Sequence, residues 1–118
     1  MSHARALTPV LGHVRVLRES PADPTRRLVE EEDGRVLGAA AYEELFGPHA
    51  EGVVAVRDVE DHAGALRLLD RMLDGARAEG IVLVRFVLEA AQLPLAATVA
   101  ATLPGAALAS DLEIRLDG

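Results

Sequence analysis

The sequence lacks cysteine altogether, and this absence excludes several kinds of chemistry at once. Without cysteine there are no disulfides, no thiolate nucleophiles and no zinc sites built on cysteine spacing. The histidines lie far apart and show no paired spacing of the kind that metal ligands adopt, so we expect no metal site. They are His3, His13, His49 and His62.

Lysine is also absent, so all twelve basic residues are arginine, and the net charge is −7. The acidic excess lies entirely in residues 36–118, where thirteen acids face six arginines. Phosphate binding depends on basic side chains that neutralise charge and release counterions, so nucleic acid is a poor partner for this chain. The arginines among residues 15–35 are the only support for such a partner, and charges of this kind usually form a solvated face.

Long uninterrupted apolar segments are scarce as well. No stretch near the N-terminus combines a basic start, an apolar run and a small-residue cleavage site, so we expect no secretion signal and a cytoplasmic location. Residues 90–110 carry no charge, but they are rich in alanine and include Pro94 and Pro104. This composition predicts a buried helix followed by a turn, and no membrane span.

What the sequence does contain is enough apolar surface for one core: 118 residues, 50% of them hydrophobic, predict a single domain over 1–118. The alternation in "GHVRVL" predicts a strand at 12–17 with Val14 and Val16 facing inward. The dipeptide Asp33-Gly34 suits a tight hairpin turn between strands at 28–32 and 36–42.

The second half of the chain has a regular order of elements. The apolar run "GVVAV" predicts a central strand covered on both faces, and the segment after it has the periodicity of an amphipathic helix ending at Gly80. Two strands joined by such a helix form a right-handed parallel crossover. The predicted elements are strands at 52–56, 81–88 and 111–116 and helices at 64–79 and 93–102.

These elements together predict an α/β fold of the α+β kind. It has a mixed twisted sheet with an antiparallel N-terminal meander, a parallel strand-helix-strand crossover, a second short helix and a C-terminal strand. The predicted core residues are Val54, Val56, Leu66, Leu69, Met72, Leu73, Leu83 and Phe86.

Over residues 28–118, this order resembles the GNAT superfamily of acetyl-CoA-dependent N-acetyltransferases. The hairpin of that family commonly carries a pattern like "dGrvvGaa", and this chain has "DGRVLGAA" at 33–40. The family's third helix runs through a leucine pair to an "ArarG" ending, which resembles Leu68-Leu69 followed by "ARAEG" at 76–80. The resemblance implies that acetyl-CoA is the cofactor, with its pantetheine arm held by backbone groups between the diverging strands at 52–56 and 81–88.

The family's pyrophosphate loop, Q/R-x-x-G-x-G/A, falls on residues 60–65, and only Ala65 agrees with it. Glu60 replaces the basic or amide residue, and Ala63 replaces the first loop glycine. Helix amides bind anionic phosphate with help from the helix dipole, so carboxylates at this point oppose binding. We therefore expect acetyl-CoA to bind weakly or not at all. The resemblance assigns cofactor contacts to Val54, Val56, His62, Ala63, Gly64 and Ala65.

A simpler account of these acids needs no ligand. Aspartate near a helix start commonly accepts hydrogen bonds from the free amides of the first turn, so Asp61 or a neighbouring acid is expected to cap the helix. On this account the carboxylate occupies internally the position that a cofactor phosphate occupies in the relatives.

The catalytic residues stay unknown. Family members often carry a tyrosine that protonates the departing thiolate, and Ala100 stands at that position. Tyr42 is the only tyrosine and is expected to serve packing. A general base could be Glu51, His49 or His62, although each fits an ordinary surface or loop position better. The family also places two helices between its first two strands, and residues 18–27 are too few for both.

Two functions remain open. One is a binding or interaction module that recognises a protein, a second copy of itself or a small molecule, with weak or no acetyl-CoA binding. The other is a small divergent N-acetyltransferase that acts on an unknown amine. A sheet that lacks its two covering helices leaves apolar surface, so we also expect a homodimer.

Overall fold

The computed structural model describes residues 7–19 and 26–116. Within them lies a seven-stranded mixed sheet with the strand order β2-β3-β4-β5-β7-β6, to which β1 is added through β4. The elements in chain order are β1 Thr8–Gly12, α1 Val14–Glu19, β2 Arg27–Glu32, β3 Arg35–Phe46, β4 His49–Val56, α2 His62–Ala78, β5 Leu83–Val87, α3 Leu93–Thr102, β6 Ala106–Leu108 and β7 Asp111–Arg115. The predicted fold class is confirmed.

The β2–β3 hairpin forms as the sequence predicts. Its turn residues Asp33 and Gly34 have φ angles of 52° and 77°, the left-handed values that a two-residue hairpin turn of this hand requires. β3 continues well past the predicted end and pairs along the whole of β4, from Gly38 opposite Val56 to Phe46 opposite His49. The antiparallel meander is therefore made of β2, β3 and β4.

Helix α2 packs on one face of the sheet through its apolar side, as the periodicity of its sequence predicts. Its buried residues are Gly64, Ala65, Leu68, Leu69, Met72, Leu73 and Ala76. Of the predicted core residues, Leu66 and Leu83 are only partly buried, whereas Leu68, which was not among them, is 1% exposed. The other six are buried. Residues of α2, α3 and the sheet, including its strands β5 and β7, form one core cluster.

The predicted strand at 12–17 is wrong. The strand lies earlier, as β1, and residues 14–19 form the short helix α1. Gly12 has a φ of 86°, which breaks the extended chain, and His13 Nδ1 then accepts a hydrogen bond from Arg15 N at 3.1 Å. Alternation over six residues is too short to distinguish a strand from one and a half helical turns.

Helix α1 covers the second face of the sheet over β3 and β4 only. Val16 and Leu17 contact small residues there, so the helix lies close to the strands. Those residues are Ala39, Ala41, Val53 and Ala55. On the same face, β5 and β7 present alternating side chains that are largely charged, including Arg85, Asp111 and Glu113.

The parallel strand-helix-strand crossover is confirmed, but the predicted pairing of residues 52–56 with β5 is wrong. β4 and β5 pair only from His49 to Glu51 and from Leu83 to Arg85, so residues 52–56 have left β5. Strand β6, which pairs with β7, was not predicted. No helix within the described residues has both the length and the apolar character needed to cross a bilayer.

Candidate functional site

The two edges of β4 are used differently. β3 pairs along one edge for the full length of the strand, so every other partner of β4 must lie on the second edge. That edge pairs with β5 as far as Glu51 and then with β1, from Val53 opposite Gly12 to Val56 opposite Thr8. We call the gap between β4 and β5 beyond Glu51 and Arg85 the wedge. In this structure the wedge is filled by β1.

The side chain of Gln92 fastens β1 inside the wedge. Its Oε1 accepts hydrogen bonds from Gly12 N at 3.1 Å and Glu89 N at 3.3 Å. Its Nε2 donates to the carbonyl oxygens of Gly12 at 2.9 Å and Pro9 at 3.0 Å. A carboxamide has two donor hydrogens and two acceptor lone pairs, so this buried side chain, 4% exposed, is fully satisfied.

The bonds between Gln92 and Gly12 have the form of a strand pair. In each hydrogen-bonded pair of an antiparallel ladder, a residue uses both its N–H and its C=O to bond the residue opposite. The Gln92 carboxamide supplies the same donor and acceptor to Gly12, so it replaces one residue of a neighbouring strand. β1 is consequently bonded by β4 on one edge and by Gln92 on the other.

Gly12 and Gly52 meet where β5 leaves β4. A Cβ on Gly12 would collide with the carbonyl oxygen of Gly52, and the φ of 86° disfavours any other residue. A Cβ on Gly52 would lie 2.7 Å from the ring of Phe86, so this residue must also be small. The two glycines therefore allow β1 to end directly against β4.

The start of α2 is capped by its own carboxylate, as expected. Asp61 Oδ1 accepts a hydrogen bond from Gly64 N at 2.9 Å, and the Asp61 carbonyl accepts from Ala65 N at 3.1 Å. Asp58 Oδ1 accepts from Glu60 N at 3.0 Å, which orders the preceding turn. The loop amides thus bind carboxylates from within the chain.

The six residues assigned to the cofactor fall into two places. Val54 and Val56 lie on β4, with side chains in the core under α2 and backbones between β3 and β1. His62, Ala63, Gly64 and Ala65 form the first turn of α2, where the first two are exposed and the last two buried.

A cavity of about 310 Å³ lies beside the wedge. Residues 8–10 of β1 line one side, Val59 and His62 the second, and the start of α3 the third. Its walls are mainly apolar, and its volume is at the lower end of the range of about 300–1,000 Å³ that is usual for ligand pockets. Of the assigned cofactor residues, His62 alone faces it.

The candidate bases are separated and differently engaged. Glu51 is buried and its Oε1 lies 2.7 Å from Arg15 Nη2, so this carboxylate is held in an ion pair by α1. Arg15 Nη1 also bonds Glu43 Oε1 at 2.8 Å. The ring of His49 is 5.1 Å from that of Phe46, and His62 is exposed at the start of α2.

Tyr42 is 1% exposed and its hydroxyl donates to Glu79 at the end of α2. Burial raises the pKa of Tyr42 well above its usual 10.0, and the bond to Glu79 raises it further. Such a hydroxyl stays protonated and serves to join β3 to α2. Ala100, at the position of the family's tyrosine, packs against the core. Among the described residues no three metal-ligating side chains come together.

Sequence reasoning missed Gln92, Pro9 and Gly12 as members of this site. One signal was available: Gln92 is the only carboxamide side chain in the chain, which has no asparagine and no second glutamine. It lies in an otherwise apolar run that predicts burial, and a buried amide requires hydrogen-bond partners. The identity of those partners, 80 residues away, could not be inferred from local pattern.

No protein-family model matches the sequence, and no curated protein matches it. Solved structures do resemble it in fold. A putative acetyltransferase from Salmonella typhimurium, solved with its cofactor acetyl-CoA, is 24% identical with a TM-score of 0.60, over 77% of this chain and 64% of that one. N-acetylglutamate synthase from Neisseria gonorrhoeae, complexed with coenzyme A and L-arginine, is 22% identical with a TM-score of 0.63.

The match to the synthase covers 79% of this chain and 25% of that one. An N-acetyltransferase from Staphylococcus aureus Mu50 is 20% identical with a TM-score of 0.62, over 87% of this chain and 75% of that one. The chain thus spans less than two thirds of the length of the first two. At these identities the likeness concerns the fold, and the fold of this chain is that of the GNAT acetyltransferases.

Proposed function

We propose that this chain is a binding or interaction module built on the acetyltransferase fold, and that it binds acetyl-CoA weakly or not at all. The observation that carries the proposal is β1 in the wedge, paired with Val53–Val56 of β4. This is the backbone edge that the family resemblance assigns to the pantetheine arm. A cofactor that used the edge would first have to displace β1.

Displacing β1 costs free energy on both of its edges. The ladder with β4 would be lost, and the buried Gln92 carboxamide would lose three of its four partners. Buried polar groups left without partners cost about 1–3 kcal/mol each. Leu11, which is fully buried, would also become exposed.

The start of α2 opposes the cofactor for a second reason. Asp61 already accepts the Gly64 amide, and Asp58, Glu60 and Asp61 bring negative charge to the same turn. At about 7 Å and an effective dielectric of 40 to 80, each like-charge pair with a pyrophosphate costs about 0.6–1.2 kcal/mol. We therefore expect a dissociation constant for acetyl-CoA above about 100 µM.

Within residues 7–19 and 26–116, His62 is the one candidate base that lines the cavity beside the wedge, and it lies exposed at the start of α2. Glu51 is paired with Arg15, and Ala100 has no proton to donate. These facts favour a binding role over the alternative, a divergent N-acetyltransferase acting on an unknown amine.

Calorimetry with acetyl-CoA tests the proposal, together with a thiol-release assay against a panel of amines. Because the chain has no cysteine, a thiol reagent reports only the coenzyme A released. Binding weaker than about 100 µM and no thiol release support the module. Low-micromolar binding of acetyl-CoA, or thiol release that depends on an amine, would favour the alternative, a divergent N-acetyltransferase.

The partner is proposed to be a protein, a small molecule or a second copy of the chain. For the homodimer, the support is the apolar end of the β3–β4 hairpin, where Phe46 is 69% exposed and Leu45 40% exposed. A neighbouring cavity of about 200 Å³ is lined by Leu83 and Arg85 among others. The acidic net charge still argues against nucleic acid, and the cytoplasmic location stays a prediction.

A further inference from the structure

We propose that the wedge is a binding site for an extended apolar peptide segment that ends in glycine, and that β1 is its resident occupant. The inference rests on the proposed function and names the class of partner for it. In the structure, residues 9–12, "PVLG", show what the site accepts.

The backbone of the occupant is recognised from two sides. The edge of β4 beyond Glu51 is released by β5 and offers main-chain groups to an added strand, the mode by which many domains bind extended peptides. Gln92 bonds the other side, accepting from the N–H of Gly12 and donating to the carbonyl oxygens of Gly12 and Pro9. The receptor therefore consists of one strand edge and one carboxamide, both outside the occupant.

The side chains of the occupant supply specificity. Leu11 is fully buried and Val10 is 9% exposed, so two consecutive positions require apolar residues. The ladder is irregular between Pro9 and Leu11, which turns both side chains into the core. The last position requires glycine, because a Cβ there would collide with the Gly52 carbonyl.

β1 differs from the other strands of the sheet in how it is attached. Like β2 and β6, β1 pairs with a single strand, but the second edge of β1 is bonded by a buried side chain. A segment bound in this way can detach while the β2–β3–β4 meander stays intact. A tethered segment has an effective concentration of about millimolar, so a free peptide competes only when β1 is weakened or the peptide binds better.

The test uses the full chain with Gly12→Val, which keeps the receptor and disables the resident segment. A labelled peptide with the sequence of residues 7–14, "LTPVLGHV", is titrated by fluorescence polarisation, and a second peptide carries valine in place of the glycine. We expect the variant to bind the first peptide at least tenfold more tightly than the wild-type chain does. The second peptide should not bind. Adding Gln92→Ala to the variant should abolish binding of the first peptide.

A variant with native circular dichroism that fails to bind the first peptide, or binds both peptides equally, overturns the proposal. If Gly12→Val does not fold, hydrogen exchange on the wild-type chain decides. We then expect the amides of residues 10–12 to exchange at least tenfold faster than those of Leu69–Leu73 in α2, with Gln92→Ala accelerating them further. The proposal is overturned if the amides of both segments exchange at the same rate, that of global unfolding. In that case β1 would leave the wedge only when the whole chain unfolds.

These outcomes are independent of the acetyl-CoA measurement. Tight binding of acetyl-CoA by the wild-type chain would remove the proposed function even if the peptide binds to Gly12→Val. Absence of peptide binding would remove the further inference and leave the proposed function standing, because β1 obstructs the cofactor whether or not a free peptide can replace it.

Discussion

Gln92 and Gly12, 80 residues apart in sequence, exchange two hydrogen bonds inside the sheet. At the point where β4 and β5 separate, the Gln92 carboxamide thereby makes the two hydrogen bonds that a residue of a neighbouring strand would make. The arrangement links the position of β1 to a single side chain at the end of the short 3-10 helix Ala90–Gln92, directly before α3. It also makes the contribution of β1 measurable by one substitution.

Replacing that carboxamide should destabilise the chain. Gln92→Ala leaves the buried N–H and C=O of Gly12 and the partly buried carbonyl of Pro9 without their partner, so we expect a loss of about 2–4 kcal/mol in the free energy of unfolding. Urea denaturation measures it. Leu93→Ala, at an adjacent residue that is 45% exposed, is the control and should cost less than about 1 kcal/mol. Equal losses would mean that Gln92 does not hold β1.

The fall in the free energy of unfolding at alkaline pH should reflect the ionisation of Tyr42. Its pKa is raised in the folded chain, so it adds stability that is fully present below the ordinary tyrosine pKa and is lost as pH rises towards the folded pKa. Above about pH 10, the free energy of unfolding should fall by about 1.4 kcal/mol per pH unit. Because the chain has no lysine, cysteine or second tyrosine, no other side chain titrates in that window. Denaturation at stepped pH measures the slope.

Tyr42→Phe is the matched control, since it keeps the ring and removes the hydroxyl. The slope above pH 10 should disappear in this variant. In the parent, absorbance at the tyrosinate band should rise only with unfolding, and the absence of tryptophan keeps that signal clean. A tyrosine that ionises at its ordinary pKa in the folded chain would contradict the burial of its hydroxyl.

The ion pair between Arg15 and Glu51 should fix α1 to the sheet. Arg15→Met leaves Glu51 buried without its cation, and we expect a loss of about 1–2 kcal/mol, reduced from the fully buried case because Arg15 is 40% exposed. Arg77→Met is the control, since its pair with Asp74 is exposed on both sides and should be worth less than about 0.5 kcal/mol. Thermal or urea denaturation of both variants at one pH compares them.

The parts of the fold that follow from local chemistry could be predicted from sequence. The hairpin turn needs left-handed dihedrals, which Asp33-Gly34 adopts readily, and α2 carries its apolar residues at helical spacing. The cap at Asp61 is likewise local, since the carboxylate reaches an amide three residues away. In each case the interacting atoms are close in sequence.

The wedge could not be predicted in the same way. β1 is held by a strand some 40 residues away and by Gln92, so nothing within its own five residues marks where it lies. The following helix is so short that its pattern resembles a strand, and its stability comes from packing on Ala39, Ala41 and their neighbours. The missing information is tertiary, and it concerns the segment on which the proposed function rests.

The homodimer can be tested at the β3–β4 hairpin. Light scattering at micromolar concentration should give twice the chain mass of 12.5 kDa. Phe46→Glu should return the monomer, because a charge would be buried in the proposed apolar contact. Val36→Glu, at a similarly apolar and 40% exposed residue of the other hairpin, should leave the dimer intact. A monomer mass for the parent chain would remove the dimer proposal.

The last prediction separates the two obstacles to acetyl-CoA. The loop variant combines Glu60→Arg, Asp61→Gly and Ala63→Gly, which restores a cation and frees the first-turn amides. The wedge variant is Gly12→Val. In the loop variant β1 still fills the wedge, and in the wedge variant the acids still repel the pyrophosphate. Each variant alone should therefore bind acetyl-CoA less than about threefold more tightly than the parent.

The chain that carries both changes should gain more than the product of the two single gains, because the pantetheine arm and the pyrophosphate then find their sites in one molecule. We expect an increase of about tenfold or more over the parent by calorimetry. Circular dichroism must first show that each variant folds, since Asp61→Gly removes a helix cap at a cost of a few tenths of a kcal/mol. A full gain from the loop variant alone would mean that β1 does not obstruct the cofactor. No gain in the combined variant would mean that the aligned loop is not a pyrophosphate site.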